Sequence, residues 1–187
     1  MNETHLQYLA SPEWKARLEA DLLPWIERVG DLGNDVIEIG PGPGLTTDML
    51  RTRAANVTAV EIDSALAAKL ADRLAGSNVE VIEGDARALG FESDRFSSAT
   101  AFSVLHHVPS PGEQDQILAE ILRVLTPGAG LFATDARDLD AIRQGHDGDT
   151  FVPLPTDGLI ARLEGIGYRD IDLAIADYEI RFSAYKP

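Results

Sequence analysis

A chain of 187 residues has the usual size of one folded domain, and its 44% apolar and 25% charged residues are ordinary for a soluble globular protein. The net charge of −15, from 31 acidic and 16 basic residues, argues against a nucleic-acid partner, because phosphate backbones are bound by clustered Lys and Arg. The absence of cysteine excludes disulfides, thiolate zinc sites and cysteine nucleophiles, and no segment resembles a signal peptide or a membrane span. We therefore expect a cytoplasmic protein without a membrane partner.

The first predicted element is a helix that begins near Ser11. The Ser11 hydroxyl can cap the first turn, Pro12 suits the first helical position, and Glu13 favours the positive end of the helix. Apolar residues then recur at helical spacing as far as Val29. Because Pro24 lies inside this pattern, we expect a kink or two separate helices.

A short strand and a glycine-rich loop follow. Residues 36–39 read Val-Ile-Glu-Ile, residues 40–44 read Gly-Pro-Gly-Pro-Gly, and a helical segment starts at Leu45. A strand, a tight loop and a helix in this order bring the main chain close to a nucleotide-like ligand.

The composition of this loop indicates which kind of ligand it suits. Gly40, Gly42 and Gly44 can adopt positive φ and have no Cβ, so a ligand can lie against the main chain. A dinucleotide loop reads G-x-G-x-x-G and offers amide N–H groups to a pyrophosphate, whereas Pro41 and Pro43 have no N–H to donate. The loop therefore favours a nucleoside without a phosphate.

Three further strands are predicted, each ending in polar residues. Residues 56–63 contain Glu61, about 20 residues beyond the glycine loop, a spacing that suits a carboxylate for ribose hydroxyls. Residues 79–86 end in Gly-Asp-Ala, and residues 97–104 are followed by Leu-His-His-Val-Pro.

Helices are predicted between and after these strands. Ser64 is expected to cap one helix, and Ser110 begins a capping box for another. Pro127 and Gly128 are predicted to turn the chain into a fifth strand at about residues 130–134. This alternation implies a parallel sheet that is covered by helices on both faces.

The end of the chain follows a different pattern. Residues 168–175 and 178–185 are two strand-like runs, and only two residues join them. A link of this length permits only a hairpin, so the last strand must be antiparallel to its neighbour.

Between about Val36 and Asp135, the predicted segments occur in the order and with the spacing seen in the class I S-adenosylmethionine-dependent methyltransferases, and the chain resembles that family. The resemblance covers roughly half of the chain and implies an α/β fold. That fold is a Rossmann-like, doubly wound, seven-stranded sheet of order 3-2-1-4-5-7-6, with the last strand antiparallel and helices on both faces.

The resemblance also implies one methyltransferase domain over residues 1–187. Residues 1–30 would form an N-terminal helical cap and residues 31–135 the cofactor-binding core. Residues 136–155 would form a lid loop, and residues 156–187 a helix and the terminal hairpin.

The implied cofactor is S-adenosyl-L-methionine. Glu61 would accept hydrogen bonds from the ribose hydroxyls, and Glu38 would lie near the ammonium end of the ligand, directly or through water. Asp85 would accept from the adenine amine, and Ile62 would lie against the adenine face, although Ile62 could equally belong to the core. The cofactor-binding residues that the resemblance implies are Glu38, Gly40, Pro41, Gly42, Gly44, Glu61, Ile62, Asp85, Ala86, Phe102 and Ser103.

Two histidines are candidates for catalysis. Methyl transfer needs positioning and, for a hydroxyl or carbon nucleophile, a base. His106 and His107 follow the fourth strand at the mouth of the expected pocket, and imidazole titrates close to neutral pH. The alternative is that these side chains only cap or pack the strand end.

A missing motif favours one subfamily over another. The segments around Gly40, Glu61 and Asp85 also resemble ribosomal RNA adenine dimethylases. Those enzymes end the fourth strand with an Asn-Pro-Pro-Tyr type sequence, whereas this chain has Phe-Ser-Val-Leu-His-His at residues 102–107. The chain is therefore more similar to small-molecule methyltransferases such as the quinone-biosynthesis group.

The stretch of residues 136–155 has no clear periodicity and is a candidate for substrate selection together with the N-terminal helix. Arg137 or Arg143 could face an acidic substrate. His146 and two nearby aspartates suggest a metal, but their spacing matches no established site, so no metal is predicted.

We therefore predict an S-adenosylmethionine-dependent methyltransferase that acts on a small-molecule O, N or C nucleophile, without nucleic acid or membrane as a partner. One alternative is a non-catalytic, cofactor-binding regulatory or partner subunit. A less favoured alternative is an NAD-dependent oxidoreductase, and aminopropyl transfer on the same fold is also conceivable.

Overall fold

The computed structural model describes residues 3–187, and its centre is one seven-stranded sheet. The side chains of residues 3–5 are not part of this description. The strands are β1 (Asp35–Ile39), β2 (Asn56–Glu61), β3 (Val79–Glu83), β4 (Phe96–Phe102), β5 (Leu125–Ala136), β6 (Arg169–Ile175) and β7 (Glu179–Tyr185).

Helices precede the sheet and connect its strands. The α-helices are α1 (Glu3–Leu9), α2 (Pro12–Arg17), α3 (Leu23–Val29), α4 (Leu45–Leu50), α5 (Ser64–Arg73), α6 (Pro111–Val124), α7 (Asp140–Gly145) and α8 (Leu159–Ile166). A π-helical turn, Leu18–Leu22, joins α2 to α3, and a 3₁₀ turn, Leu105–His107, follows β4. No helix within residues 3–187 is both long and apolar enough to span a bilayer.

The strand order is β3-β2-β1-β4-β5-β7-β6, as the resemblance implied. The first five strands are parallel, and β7 is antiparallel to both β5 and β6. The predicted terminal hairpin is confirmed, because β6 and β7 pair directly and the Ala176 N–H donates to the Glu179 carbonyl at 2.9 Å.

Two apolar clusters cover opposite faces of the sheet. In β1, Val36 belongs to one cluster, and Ile37 and Ile39 belong to the other, as the two-residue period of a strand requires. Side chains of α6 and α8 pack on the face of Ile37, whereas α2, α3 and α4 pack on the face of Val36. The predicted helices on both faces are thus observed.

The N-terminal helix adapts to its proline as expected. Pro24 cannot donate to the preceding turn, and the helix widens there instead, with the Leu23 N–H bonded to the carbonyl of Leu18, five residues back. The chain is therefore split into α2, the π turn and α3.

Two local predictions need correction. The helix α5 is capped by Asp63, not by Ser64, because the Asp63 carboxylate accepts from the N–H groups of Ala65 and Leu66 at 2.9 and 3.0 Å. The strand β5 starts at Leu125, before Pro127, because a shift in register absorbs the intervening residues.

Candidate active site

Two adjoining cavities lie at the carboxyl edge of the sheet. Their volumes are about 290 Å³ and about 360 Å³, and both are lined by Gly40, Ile62, Val104 and His107. The strand order reverses between β1 and β4, and ligands of open α/β sheets bind at such a switch point. A larger cavity of about 580 Å³ lies against α4, and none of its described lining residues was predicted for the site. We call the two adjoining cavities the cleft.

The glycine-rich loop uses its own N–H groups within the protein. The N–H of Gly40 donates to a carbonyl of β2, that of Gly42 to the carboxylate of Glu61, and that of Gly44 to a carbonyl of the loop, at 2.9–3.0 Å. The two intervening prolines have no N–H. Within this described loop no amide is left over for a phosphate, which strengthens the argument from the sequence.

Packing within the protein also requires glycine at two positions of the loop. Gly40 has φ of +65°, and a Cβ on it would lie 2.6 Å from Val104. Gly44 has φ of +87°, and a Cβ on it would lie 2.3 Å from Leu70. Close approach of a ligand is therefore not the only reason for these two glycines, because α5 and the end of β4 also require them.

Glu61 lies at the end of β2 and is 6% exposed. Its carboxylate accepts from the N–H groups of Gly42 and Asp63, both at 3.0 Å, one on each oxygen. A carboxylate has about four acceptor positions, so each oxygen can accept a further bond from a group in the cleft that it lines. This geometry suits a ligand with two neighbouring hydroxyls.

Glu38 is buried beneath the loop, at 3% exposure. The hydroxyl of Thr47 donates to its carboxylate at 2.6 Å. The pKa of Glu38 is raised to about 8, mainly by burial, with the hydrogen bond from Thr47 opposing the shift and the nearby Glu61 adding to it. Glu38 is not among the described residues that line the two cavities, and a cationic group close to its carboxylate would favour the ionised form.

The other end of the cleft is apolar with one charged pair. Ile62, which could have been a core residue, is 68% exposed and lines both cavities. Ala86 and Asp85 line the same end. The Arg87 guanidinium holds the Asp85 carboxylate, with Nε at 2.9 and 3.0 Å from its two oxygens, and this contact lowers the pKa of Asp85.

Arg87 was not predicted from the sequence. It also pairs with Glu113 at the start of α6, so it bridges the third strand end and a helix. Its position in the sequence, two residues after the candidate adenine-binding carboxylate of Asp85, could have indicated this contact.

Phe102 and Ser103 lie at the end of β4, but Val104 is the residue that lines the cleft. The side chain of Phe102 packs in the apolar cluster on the side of α2 and α3. Ser103 has φ of +57°, and its N–H donates to the Thr134 carbonyl at 2.9 Å. This turn presents Val104 to both cavities, and the sequence analysis did not single it out.

The two predicted catalytic histidines lie at different depths. His107 is partly buried and lines both cavities, whereas His106 is 1% exposed. The Nδ1 atom of His106 is hydrogen-bonded to the Asp135 carboxylate, which also accepts from the His106 and Ala136 N–H groups at 3.1 and 2.8 Å. Asp135 was not predicted, although an acid at the end of the apolar strand β5 was a signal for it.

A third histidine joins this pair. Residues 136–155 contain the helix α7, which the sequence analysis did not predict, and His146 follows it. The His146 ring centroid lies 5.0 Å from that of His106 and 5.4 Å from that of His107. The carboxylate of Asp149 lies 3.6 Å from Nδ1 of His107. Sequence spacing gave no sign of this cluster, because its members are about 40 residues apart.

The two arginines that could have faced an acidic substrate are bonded to groups of the protein itself. Arg137 donates to the carbonyls of Ala176 and Asp177 in the terminal hairpin, at 2.8 and 3.1 Å. Arg143 donates to Asp138 at 2.6 Å. Neither side chain lines the described walls of the cleft.

Similarity to known proteins falls on the segment that forms the cleft. Residues 37–133, about half of the chain, match the family model described as "Methyltransferase domain". Over 98% of both chains, the fold is similar to the crystal structure of a SAM-dependent methyltransferase from Aquifex aeolicus, with a TM-score of 0.74 and 19% sequence identity.

Curated relatives fall into two groups. One ubiquinone biosynthesis O-methyltransferase of Pseudomonas fluorescens is 33% identical over 112 residues, which is 58% of this chain and 47% of the relative. The same enzyme from a second strain is 29% identical over 167 residues, 79% of this chain and 71% of the relative. A probable ribosomal RNA small subunit methyltransferase A of Thermococcus onnurineus is 48% identical over 67 residues, 35% of this chain and 25% of the relative. The chain thus spans about half of the first relative and a quarter of the last.

Proposed function

Because this chain belongs to the class I S-adenosylmethionine-dependent methyltransferases, we propose that it transfers a methyl group from S-adenosylmethionine to a small molecule with a hydroxyl nucleophile. The observation that carries this proposal is the combination of the glycine loop and Glu61. Within residues 40–44 every N–H is bonded inside the protein or absent, while the carboxylate of Glu61 keeps acceptor capacity in the cleft.

Three parts of the site suit the cofactor, two of them in the cleft and the third at the buried Glu38. Glu61 would hold the ribose hydroxyls, and the exposed Ile62 would pack on the adenine ring, with the pair of Asp85 and Ala86 at its polar edge. Glu38 would face the ammonium group, directly or through water. The buried carboxylate of Glu38 has a raised pKa, and a neighbouring cation would stabilise its charge.

The acceptor class is supported by the net charge of the chain and by the extent of similarity. The chain carries a net charge of −15, which opposes binding to an RNA backbone. The match to a quinone O-methyltransferase extends over 79% of this chain, whereas the match to the RNA enzyme is limited to 35%. The region outside the shared cofactor-binding segment therefore favours the small-molecule group.

The bound cofactor supplies an activated methyl group, and the protein must orient the acceptor and remove its proton. His107 borders both cavities and is the predicted base nearest to an acceptor in the cleft. His106 lies behind it and is oriented by Asp135. Val104 and Ile117 line the same cavity with apolar side chains.

A methylation assay tests this proposal. The purified protein is incubated with methyl-labelled S-adenosylmethionine and either simple catechols and hydroquinones or a ribosomal RNA fragment. We expect label on a phenolic oxygen and none on RNA, and Glu61→Ala should remove most of the activity. Label on RNA alone would contradict the proposed acceptor class, and tight cofactor binding without transfer to any acceptor would favour a non-catalytic subunit.

A further inference from the structure

The three histidines beside the cleft form one compact cluster. One possible ligand atom from each of His106, His107 and His146 lies within 4.8 Å of the other two. The ring centroids of His106 and His107 are 4.1 Å apart. His106 and His146 are buried, and His107 reaches the cleft.

Two of the three rings have the orientation that metal-binding histidines need. Nδ1 of His146 donates to the carbonyl of Ile142 at 2.8 Å, and because a carbonyl can only accept, the proton of the neutral ring is on Nδ1 and the lone pair is on Nε2. Nδ1 of His106 is held in the same way by the carboxylate of Asp135. A carboxylate or carbonyl that fixes one ring nitrogen and orients the other is the usual support of a histidine metal ligand.

We propose that His106, His107 and His146 bind one divalent transition-metal ion beside the part of the cleft that His107 lines, which we call the acceptor end. Imidazole nitrogens favour zinc and its neighbours over magnesium or calcium. In tetrahedral zinc sites the Zn–N distance is about 2.0–2.1 Å, which places two ligand nitrogens about 3.3 Å apart. The ligand atoms of the three histidines lie within 4.8 Å of one another, so they would approach by up to about 1.5 Å on binding the ion.

The charges around the cluster suit a dication. The carboxylate of Asp149 lies 3.6 Å from Nδ1 of His107, and that of Asp135 contacts His106. The ring of Phe151, with its centroid 4.4 Å from that of His146, covers the cluster with an apolar surface. Three protein ligands leave an open coordination position, which is the arrangement of catalytic rather than structural zinc sites.

The role of the metal rests on the proposed function, whereas its binding does not. In that role His107 serves in the metal-loaded protein as a metal ligand in place of a base, and the acceptor hydroxyl would coordinate the metal, which favours loss of its proton to solvent. The resulting oxygen anion donates an electron pair to the methyl carbon. The bond from that carbon to the sulfonium breaks with its electron pair on sulfur, leaving a neutral thioether and a methyl ether.

Metal titration of the untagged, chelator-treated full chain tests the site. We expect one equivalent of Zn²⁺ to bind by calorimetry, and one equivalent of Co²⁺ to give the visible absorption bands of a four- or five-coordinate ion. His146→Phe keeps an aromatic ring beside Phe151 but removes a ligand, so it should weaken Zn²⁺ binding at least tenfold. Asp147→Ala, whose side chain is exposed in the same loop, is the matched control and should bind as the unmodified chain does.

The outcomes separate this site from the proposed function. S-adenosylhomocysteine affinity should change less than twofold in His146→Phe, and a native circular dichroism spectrum shows that the variant is folded. Absence of metal binding by the unmodified chain, or equal Zn²⁺ affinity in His146→Phe, would overturn the metal site. Methyl transfer that persists in excess chelator would overturn its role while leaving the proposed methyltransferase activity intact.

Discussion

The two ends of the cleft are built in different ways. At the cofactor end, the glycine loop, Glu61 and Asp85 come from the ends of β1, β2 and β3, and their hydrogen bonds are mostly local or between neighbouring strands. At the acceptor end, His106 lies in the turn after β4, Asp135 lies in β5, and His146 follows α7, about 40 residues beyond His106. The geometry of the cofactor end follows from where neighbouring strands terminate, whereas the geometry of the acceptor end depends on tertiary packing.

This difference implies that the two ends can be perturbed separately. Substitutions at the cofactor end should change ligand affinity, and substitutions at the acceptor end should change turnover at constant cofactor affinity.

Glu61→Ala should weaken S-adenosylhomocysteine binding by about tenfold to a thousandfold, since hydrogen bonds to a charged group contribute about 1.5–3 kcal/mol each. The substitution also removes the hydrogen-bond acceptor of the Gly42 N–H, so the glycine loop is held less firmly and cofactor affinity decreases further. Glu83→Ala is the matched control, because Glu83 is the exposed partner of Glu61 in the β2–β3 register. Equal affinities of the two variants, measured calorimetrically, would contradict the ribose assignment.

Glu38 should make the stability of the unliganded protein depend on pH. The pKa of Glu38 is about 8 in the folded chain and lower in the unfolded chain. At pH values between these two pKa values, the folded state binds one proton on Glu38 that the unfolded state does not. The free energy of unfolding should be greatest below about pH 5 and decrease towards pH 8, by on the order of 3 kcal/mol from this residue. Glu38→Gln should remove this contribution in urea titrations at pH 5, 6.5 and 8.

A second measurement on Glu38 is the proton release that accompanies cofactor binding. If the ammonium of S-adenosylhomocysteine lies near the carboxylate, binding below pH 8 releases a proton, and heats in buffers of different ionisation enthalpy reveal that release. No proton release by the unmodified chain would place the ammonium elsewhere.

His107→Ala should lower turnover by about a hundredfold, the lower range for loss of an acid–base group, and should leave S-adenosylhomocysteine affinity within about twofold. Single-turnover assays at saturating cofactor measure the first quantity, and calorimetry measures the second. A parallel loss of affinity and turnover would mean that the two ends of the cleft are not separable.

Tyr168→Phe tests the scaffold outside the cleft. The Tyr168 hydroxyl is fully buried, donates to the Leu118 carbonyl at 2.9 Å, and burial raises the pKa of the phenol. Its loss should reduce the free energy of unfolding by about 1 kcal/mol without changing cofactor affinity. A change in affinity of more than twofold would show that α6 and the cleft are coupled.

The sequence was sufficient for the fold, and it placed the glycine loop and the ends of β2 and β3 at one edge of the sheet, because both follow from local patterns. The glycine loop, the ends of β1, β2 and β3 and the terminal hairpin follow from patterns a few residues long and lie where they were expected, although the hairpin link has three residues, 176–178, and β5 begins five residues earlier than expected. Errors arose where two neighbouring residues could serve equally, as with Asp63 and Ser64 at the start of α5.

The acceptor end was only partly predictable. His106 and His107 were found from their place after β4, but the contact of His106 with Asp135 crosses from one strand to the next. The approach of His146 depends on how α7 packs, and no spacing rule in the sequence reports that. Arg87 and Val104 were missed for a simpler reason, since the motif ended just before each of them.

The most direct test of the account is a calorimetric titration of the purified chain with S-adenosylhomocysteine, with NADH as the control ligand. The account predicts one-to-one binding of S-adenosylhomocysteine in the micromolar range and no binding of NADH, because the loop has no amide for a pyrophosphate. Binding of NADH without binding of S-adenosylhomocysteine would contradict it.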